Sequence, residues 1–175
     1  MYRVLVGSLI YLTTIRPDLA YFVSSLNQFM SKPLESHWVA PKNMLRYLSG
    51  TSNYGILYTD TSNVTLAGFS DSDWAGNLDD RRSITGYAFS IGSEVIAWSN
   101  KKQSTVALSS CEAQYQALCA ATCEAIWLRR LLKDAGEEYK ESTIIKTDNQ
   151  STIKLAYNPV FHKNTKHIDT QFHFV

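Results

Sequence analysis

The hydrophobic period of the chain changes near residue 54, and this change constrains the fold more than any other feature. Up to residue 50, apolar residues recur at helical spacing. Leu5, Leu9 and Leu12 form one stripe, and Leu19, Phe22, Val23, Leu26 and Met30 form another across the R-P-D break at residues 16–18. A third helical pattern is expected from Ser31-Lys32-Pro33, because Pro33 can occupy a first turn without wasting an amide. Pro41 should kink or split that helix, and Ser49-Gly50-Thr51 should end it. Beyond residue 54, Y-G-I-L-Y-T, V-T-L-A-G-F-S, I-T-G-Y-A-F-S-I and V-I-A-W-S are strand-like, the last two joined as a hairpin across Gly92-Ser93. Residues 109–132 then read as one long helix or two abutting ones, followed by the strand S-T-I-I-K-T, a helix from about Asn149 to Tyr157, and a short helical piece from Thr165. The order is a small helical segment and then an α/β domain of three strands, helix, strand, helix, helix.

Composition excludes several classes. With 45% hydrophobic and 19% charged residues, the 175-residue chain has the balance of an ordinary globular protein. Seventeen basic against sixteen acidic residues leave +1, so no bulk charge announces a nucleic-acid partner. Arg81, Arg82, Lys101 and Lys102 flank an acidic stretch, but such clusters are usually solvated faces. Cys111, Cys119 and Cys123 show no CxxC spacing and fit buried or free thiols of a reducing compartment. The opening M-Y-R-V-L-V-G-S-L-I-Y-L reads as an amphipathic helix rather than a signal peptide, and no run reaches membrane-spanning length, so neither secretion nor a membrane partner is expected.

The acidic residues fall at telling positions. In F-S-D-S-D-W-A-G, residues 69–76, Asp71 and Asp73 lie two apart at a strand end and project to one side, where a hydrated turn is the bland explanation. Asp148 ends the strand T-I-I-K-T, at the strand-to-helix turn where α/β sheets place ligands, or it caps the next helix. Glu112 lies in the first turn of the long helix, where Ser109-x-x-Glu112 also makes a capping box. Asp169 lies in the terminal segment K-H-I-D-T-Q-F-H-F. Convergence of the first three requires adjacent strands and a helix crossing them, and such a cluster would need divalent cations to neutralise it.

At these residues the chain resembles a known family. G-F-S-D-S-D-W-A-G, D-R-R-S-I-T-G-Y-A-F, I-A-W-S-N-K-K-Q-S-T-V-A-L-S-S-C-E-A-Q-Y-Q-A-L, E-A-I-W-L-R-R-L-L and P-V-F-H-K-N-T-K-H-I-D resemble the ribonuclease H region of Copia-type LTR retrotransposon Pol polyproteins. V-G-S-L-I-Y-L, R-P-D-L-A, F-M-S-K-P and L-R-Y-L-S-G-T look like the end of the preceding reverse transcriptase. The resemblance implies a mixed five-stranded ribonuclease H-like sheet with flanking helices, preceded by a small helical segment. It divides the chain into a helical remnant of the polymerase thumb or connection (1–52), a linker with a short strand (53–63) and a C-terminally truncated ribonuclease H-like domain (64–175). It implies hydrolysis of the RNA strand of RNA–DNA hybrids by two Mg²⁺ ions, with Mn²⁺ as a substitute, and matches Asp71, Glu112, Asp148 and Asp169 to the catalytic metal ligands. An upstream reverse transcriptase module is the implied partner, and the cytoplasm, within a virus-like particle, or the nucleus the implied location. Cys111 and Gln114 depart from the family's usual S-S-T-E-A-E-Y, and neither is one of the four matched ligands.

Several further expectations follow. Ser109, Ser110, Asn149 and Gln150 are suitable hydrogen-bond donors to the hybrid, although each is equally suited to capping a helix. His162 is an auxiliary candidate for product release or proton movement. A zinc site from His162, His167 and His173 is disfavoured by spacing. Trp74, Trp98 and Trp127 are expected in the core. The rival readings are a catalytically silent remnant that binds nucleic acid or a partner, and a DNA-cutting enzyme of the same fold.

Overall fold

The computed structural model describes residues 1–59, 65–137 and 141–157. The chain divides into two compact units, Met1–Thr59 and Asp60–Val175.

The first unit is built from α1 (Tyr2–Leu12), α2 (Ala20–Asn27) and α3 (Val39–Gly50). Its core gathers Tyr2, Val6, Leu9, Leu19, Val23, Leu26 and Met44. The buried stripe of α1 therefore runs through Tyr2, Val6 and Leu9, with Leu5 and Leu12 at its margin, and Phe22 of α2 is exposed. The R-P-D segment does more than break a helix. Arg16 is 6% exposed, donates twice to Asp18 at 2.8 Å, and reaches the carbonyl and hydroxyl oxygens of Thr51 at 2.9 Å. One guanidinium thus ties the start of α2 to the end of α3. Pro33 precedes the third helical region, which opens as a 3₁₀ turn over Glu35–Trp38. Pro41 is the third residue of α3, in the first turn where backbone amides have no helical partner, so it does not kink the helix.

The second unit contains β1 (Leu66–Ser72), β2 (Ile84–Ile91), β3 (Glu94–Lys102), α4 (Ser110–Asp134), β4 (Ile144–Lys146) and α5 (Gln150–Tyr157). The sheet order is β3-β2-β1-β4, with β1 antiparallel to β2, β2 antiparallel to β3, and β1 parallel to β4. This mixed sheet with flanking helices is an α/β arrangement compatible with a ribonuclease H-like fold, and it has four strands among the described residues where five were expected. The hairpin turns at Gly92, whose φ of 62° suits a residue without a Cβ. The segment Y-G-I-L-Y-T is not a strand in its described residues, 54–59. Tyr54, Leu57 and Tyr58 are all exposed there, so no sheet face is available to bury an alternating set.

Residues 109–132 form one helix rather than two, and α4 packs across the sheet through Ala121, Ala125 and Leu128, which meet Leu66 and Phe89. Along β1, Leu66, Gly68, Ser70 and Ser72 are buried while Phe69 and Asp71 are exposed. The linker strand expected within residues 53–63 is absent from its described part, 53–59. Trp74 and Trp127 are exposed, not core. No helix among the described residues is long and apolar enough to cross a membrane.

Candidate functional site

The parallel pairing of β1 with β4 brings the two strand-end acids together. The register pairs Phe69 with Lys146, and Asp71 and Asp148 each follow two residues later. Both acids line one cleft of about 530 Å³, shared with Phe69, Lys146 and Thr147. Gly86 lies directly opposite Asp71 on β2 and presents no side chain on that face, which leaves the cleft open. Lys146 Nζ sits 5.3 Å from the centre of the Phe69 ring. Asp148 does not cap α5, because Asn149 takes that role: its Oδ1 accepts from Thr152 N at 3.0 Å. Asp73 turns away into the connection to β2 and accepts from Ile84 N at 2.5 Å. Gly76 leaves room for this, since a Cβ there would lie 2.1 Å from Asp73 Oδ2.

Glu112 has other partners. Ser109 Oγ accepts from Glu112 N at 3.1 Å, and Glu112 Oε2 accepts from Leu108 N at 2.8 Å. This is a capping box whose return bond lands one residue early, so the carboxylate closes the entry to α4. Gln116 Nε2 lies 3.5 Å from its other oxygen.

The helix side chain that meets Asp71 is Gln114. Its Nε2 donates to Asp71 Oδ1 at 2.6 Å and to Ser72 O at 3.1 Å, and its Oε1 accepts from Thr147 Oγ1 at 3.5 Å. Ser72 N adds a second bond to the same carboxylate oxygen at 2.8 Å. Helical periodicity explains the choice. Gln114 lies one heptad before Ala121 and two before Leu128, on the stripe that packs on the sheet, whereas Glu112 is about 200° around the helix from Gln114.

No protein-family model matches the chain. It is 42% identical over 174 residues to the retrovirus-related Pol polyprotein from transposon RE2 of Arabidopsis thaliana, a match that covers 99% of this chain and 12% of that one. It is 40% identical over 175 residues to the corresponding polyprotein from transposon TNT 1-94 of Nicotiana tabacum, covering 99% and 13%. The chain belongs to the Copia-type Pol polyproteins. A shorter relative, secreted RxLR effector protein 161 of Plasmopara viticola, is 49% identical over 124 residues and 87% of its length is matched. This Pol segment therefore spans about an eighth of the transposon polyproteins it matches.

Within the Pol segment, the remaining candidates divide. Ser109 and Asn149 are occupied as helix caps, while Ser110 and Gln150 are exposed in the first turns of α4 and α5. His162 and Asp169 lie outside the described residues. Among the described residues, no three histidine, cysteine, aspartate or glutamate side chains gather to hold a metal ion. Among the described residues two carboxylates line the cleft, and the buried Gln114 amide N–H meets one of them from α4. Hard divalent ions want oxygen ligands, so the described residues by themselves do not fit a pair of Mg²⁺ ions.

Proposed function

We propose that residues 64–175 are the ribonuclease H-like module of this Pol polyprotein and that the cleft between β1 and β4 receives an RNA–DNA hybrid. The observation that carries this reading is the pair Asp71 and Asp148 at the carboxyl ends of adjacent parallel strands, the place where α/β sheets hold ligands. Lys146 supplies a cation for a backbone phosphate, and Phe69 an apolar surface beside it. Ser110 and Gln150 are the exposed donors suited to a 2′-hydroxyl, which distinguishes an RNA strand from DNA. The reaction that the family resemblance implies is hydrolysis of the RNA strand, and the reverse transcriptase module of the same polyprotein is the partner.

A second reading, a module that binds hybrid without cutting it, is favoured by the Gln114 amide at Asp71. One experiment separates the two. Fluorescence anisotropy with a labelled hybrid and a matched DNA duplex, in chelator, measures binding; the same hybrid in Mg²⁺, resolved on a denaturing gel, measures cleavage. Preferential hybrid binding, weakened about tenfold or more by Lys146→Glu, supports the module reading. Mg²⁺-dependent cleavage lost in Asp71→Asn and Asp148→Asn supports the catalytic form, and binding without cleavage supports the silent one. Equal binding of hybrid and duplex would overturn the hybrid assignment.

A further inference from the structure

The Gln114 amide does what a cation would otherwise have to do at Asp71. Its orientation is fixed by its neighbours: Nε2 faces a carboxylate and a backbone carbonyl, neither able to donate, while Oε1 faces the Thr147 hydroxyl. Gln114 is 6% exposed, so its end of the bond is shielded from water, while Asp71 opens to the cleft. At 2.6 Å it is a short, charge-assisted bond, the strong kind. It joins α4 to the ends of both β1 and β4, through Asp71 and Thr147. A carboxylate in the same place would set an oxygen against Asp71 Oδ1 and Ser72 O, an arrangement that only a bound cation relieves.

We propose that Gln114 replaces a divalent cation at Asp71: it makes the junction of α4, β1 and β4 stable without metal and leaves Asp71 and Asp148 a weak ion site. A single isosteric change, Gln114→Glu, then converts the cleft into a tight divalent-ion site whose stability depends on that ion. The inference deepens the reading of the cleft as a hybrid site, but its readout involves no nucleic acid. Hybrid binding and ion dependence can therefore fail separately.

The test measures thermal unfolding of the full chain in chelator and in 10 mM Mg²⁺ or Mn²⁺ (about 100 times an expected dissociation constant), with calorimetric titration of Mn²⁺. The unaltered protein should gain at most about half as much from ion as Gln114→Glu does. Gln114→Glu should unfold earlier in chelator, regain about 5–10 °C with ion, and bind Mn²⁺ at least tenfold more tightly than the unaltered protein. Gln114→Met, which removes the amide without adding charge, should be destabilised and gain nothing from ion. If Gln114→Glu fails to fold in chelator, the exchange Asp71→Asn with Gln114→Glu decides. It restores one amide facing one carboxylate, so it should fold in chelator and be indifferent to ion. The proposal is overturned if the unaltered protein is stabilised by ion as much as Gln114→Glu is, if Gln114→Glu binds Mn²⁺ no better, or if the exchanged pair is no more stable in chelator than Gln114→Glu alone.

Discussion

Gly68→Ala is a small change with a large expected effect. Gly68 faces inward on β1, and a Cβ there would lie 2.4 Å from Phe89 Cε1, 2.9 Å from Cζ and 3.0 Å from Cδ1. The first distance is more than 1 Å inside ordinary carbon–carbon contact of about 3.5 Å. The ring cannot swing clear, because Phe89 is fully buried among Leu66, Ala121, Ala125 and Leu128. Two effects oppose each other. Alanine restricts the unfolded chain and stabilises by about 0.4–1 kcal/mol, while overpacking a closed core costs about 1–3 kcal/mol. Overpacking should win, leaving a net loss of about 1–2 kcal/mol. Urea unfolding followed by tryptophan fluorescence measures it, in a Trp38→Phe background so that the signal comes from the sheet-containing unit. Phe89→Leu removes the colliding ring atoms at a cost of about 1–3 kcal/mol for the space it leaves. The double variant should therefore lose at least about 1 kcal/mol less than the sum of the single losses. Strict additivity, or a Gly68→Ala protein as stable as its parent, would refute the argument from ring contact.

Three further outcomes follow from the hydrogen-bond and titration geometry. Glu112→Ala should cost about 1–2 kcal/mol of stability by opening the capping box, with Mn²⁺ titration unchanged, because its carboxylate serves Leu108 N rather than the cleft. The Arg16 guanidinium, helped by the Tyr47 hydroxyl, holds the Asp18 carboxyl below the usual carboxylate range, so this stabilisation is present above the unfolded value of about 3.9 and is lost as pH falls through the folded one. Thermal midpoints of the helical unit, read through Trp38, should accordingly fall less steeply with acidification in Asp18→Asn than in the parent. Burial pushes the Cys119 thiol up to about 12, with Cys123 adding to it, whereas Cys123 is exposed; alkylation at pH 8 with peptide mapping should label Cys123 first and Cys119 only on unfolding.

Local signals in the chain translate well into structure, and long-range ones less so. The Gly92-Ser93 hairpin and the strand-to-helix turn at Asp148 are set by near neighbours and found at their expected places, and the stretch after residue 109, open between one helix and two, forms one. The adjacency of β1 and β4 was needed for Asp71 and Asp148 to converge, and the register provides it. Y-G-I-L-Y-T misleads because alternating aromatics mark a strand only when a sheet edge is there to receive them. Glu112 misleads because the first turn of α4 serves two purposes, closing its own amides and facing the sheet, and an acid three residues after Ser109 satisfies the first. The stripe through Ala121 and Leu128 that packs on the sheet, extended back by one heptad, reaches Gln114. What sequence could not supply was the compensation of Asp71. An acid at a strand end calls for a counter-charge or a donor, and only the packed helix shows that a neutral amide suffices.

The three-residue strand β4 sets the order in which the molecule assembles and comes apart. The strands β1, β2 and β3 follow one another with no helix between them and can pair as soon as they leave the ribosome. β4 must wait for the whole of α4, and its ladder spans only Ala67 to Phe69 on β1. The amides of Ile144, Ile145 and Lys146 should therefore exchange with deuterium by local opening, at rates well above those of Phe89 or Leu118. When β4 lets go, Asp148 leaves with it and the cleft ceases to exist while the meander persists. The amide of α4, which bridges Asp71 to Thr147, therefore acts as a clasp on this last-formed strand, and its strength is readable in the exchange rates of those three residues.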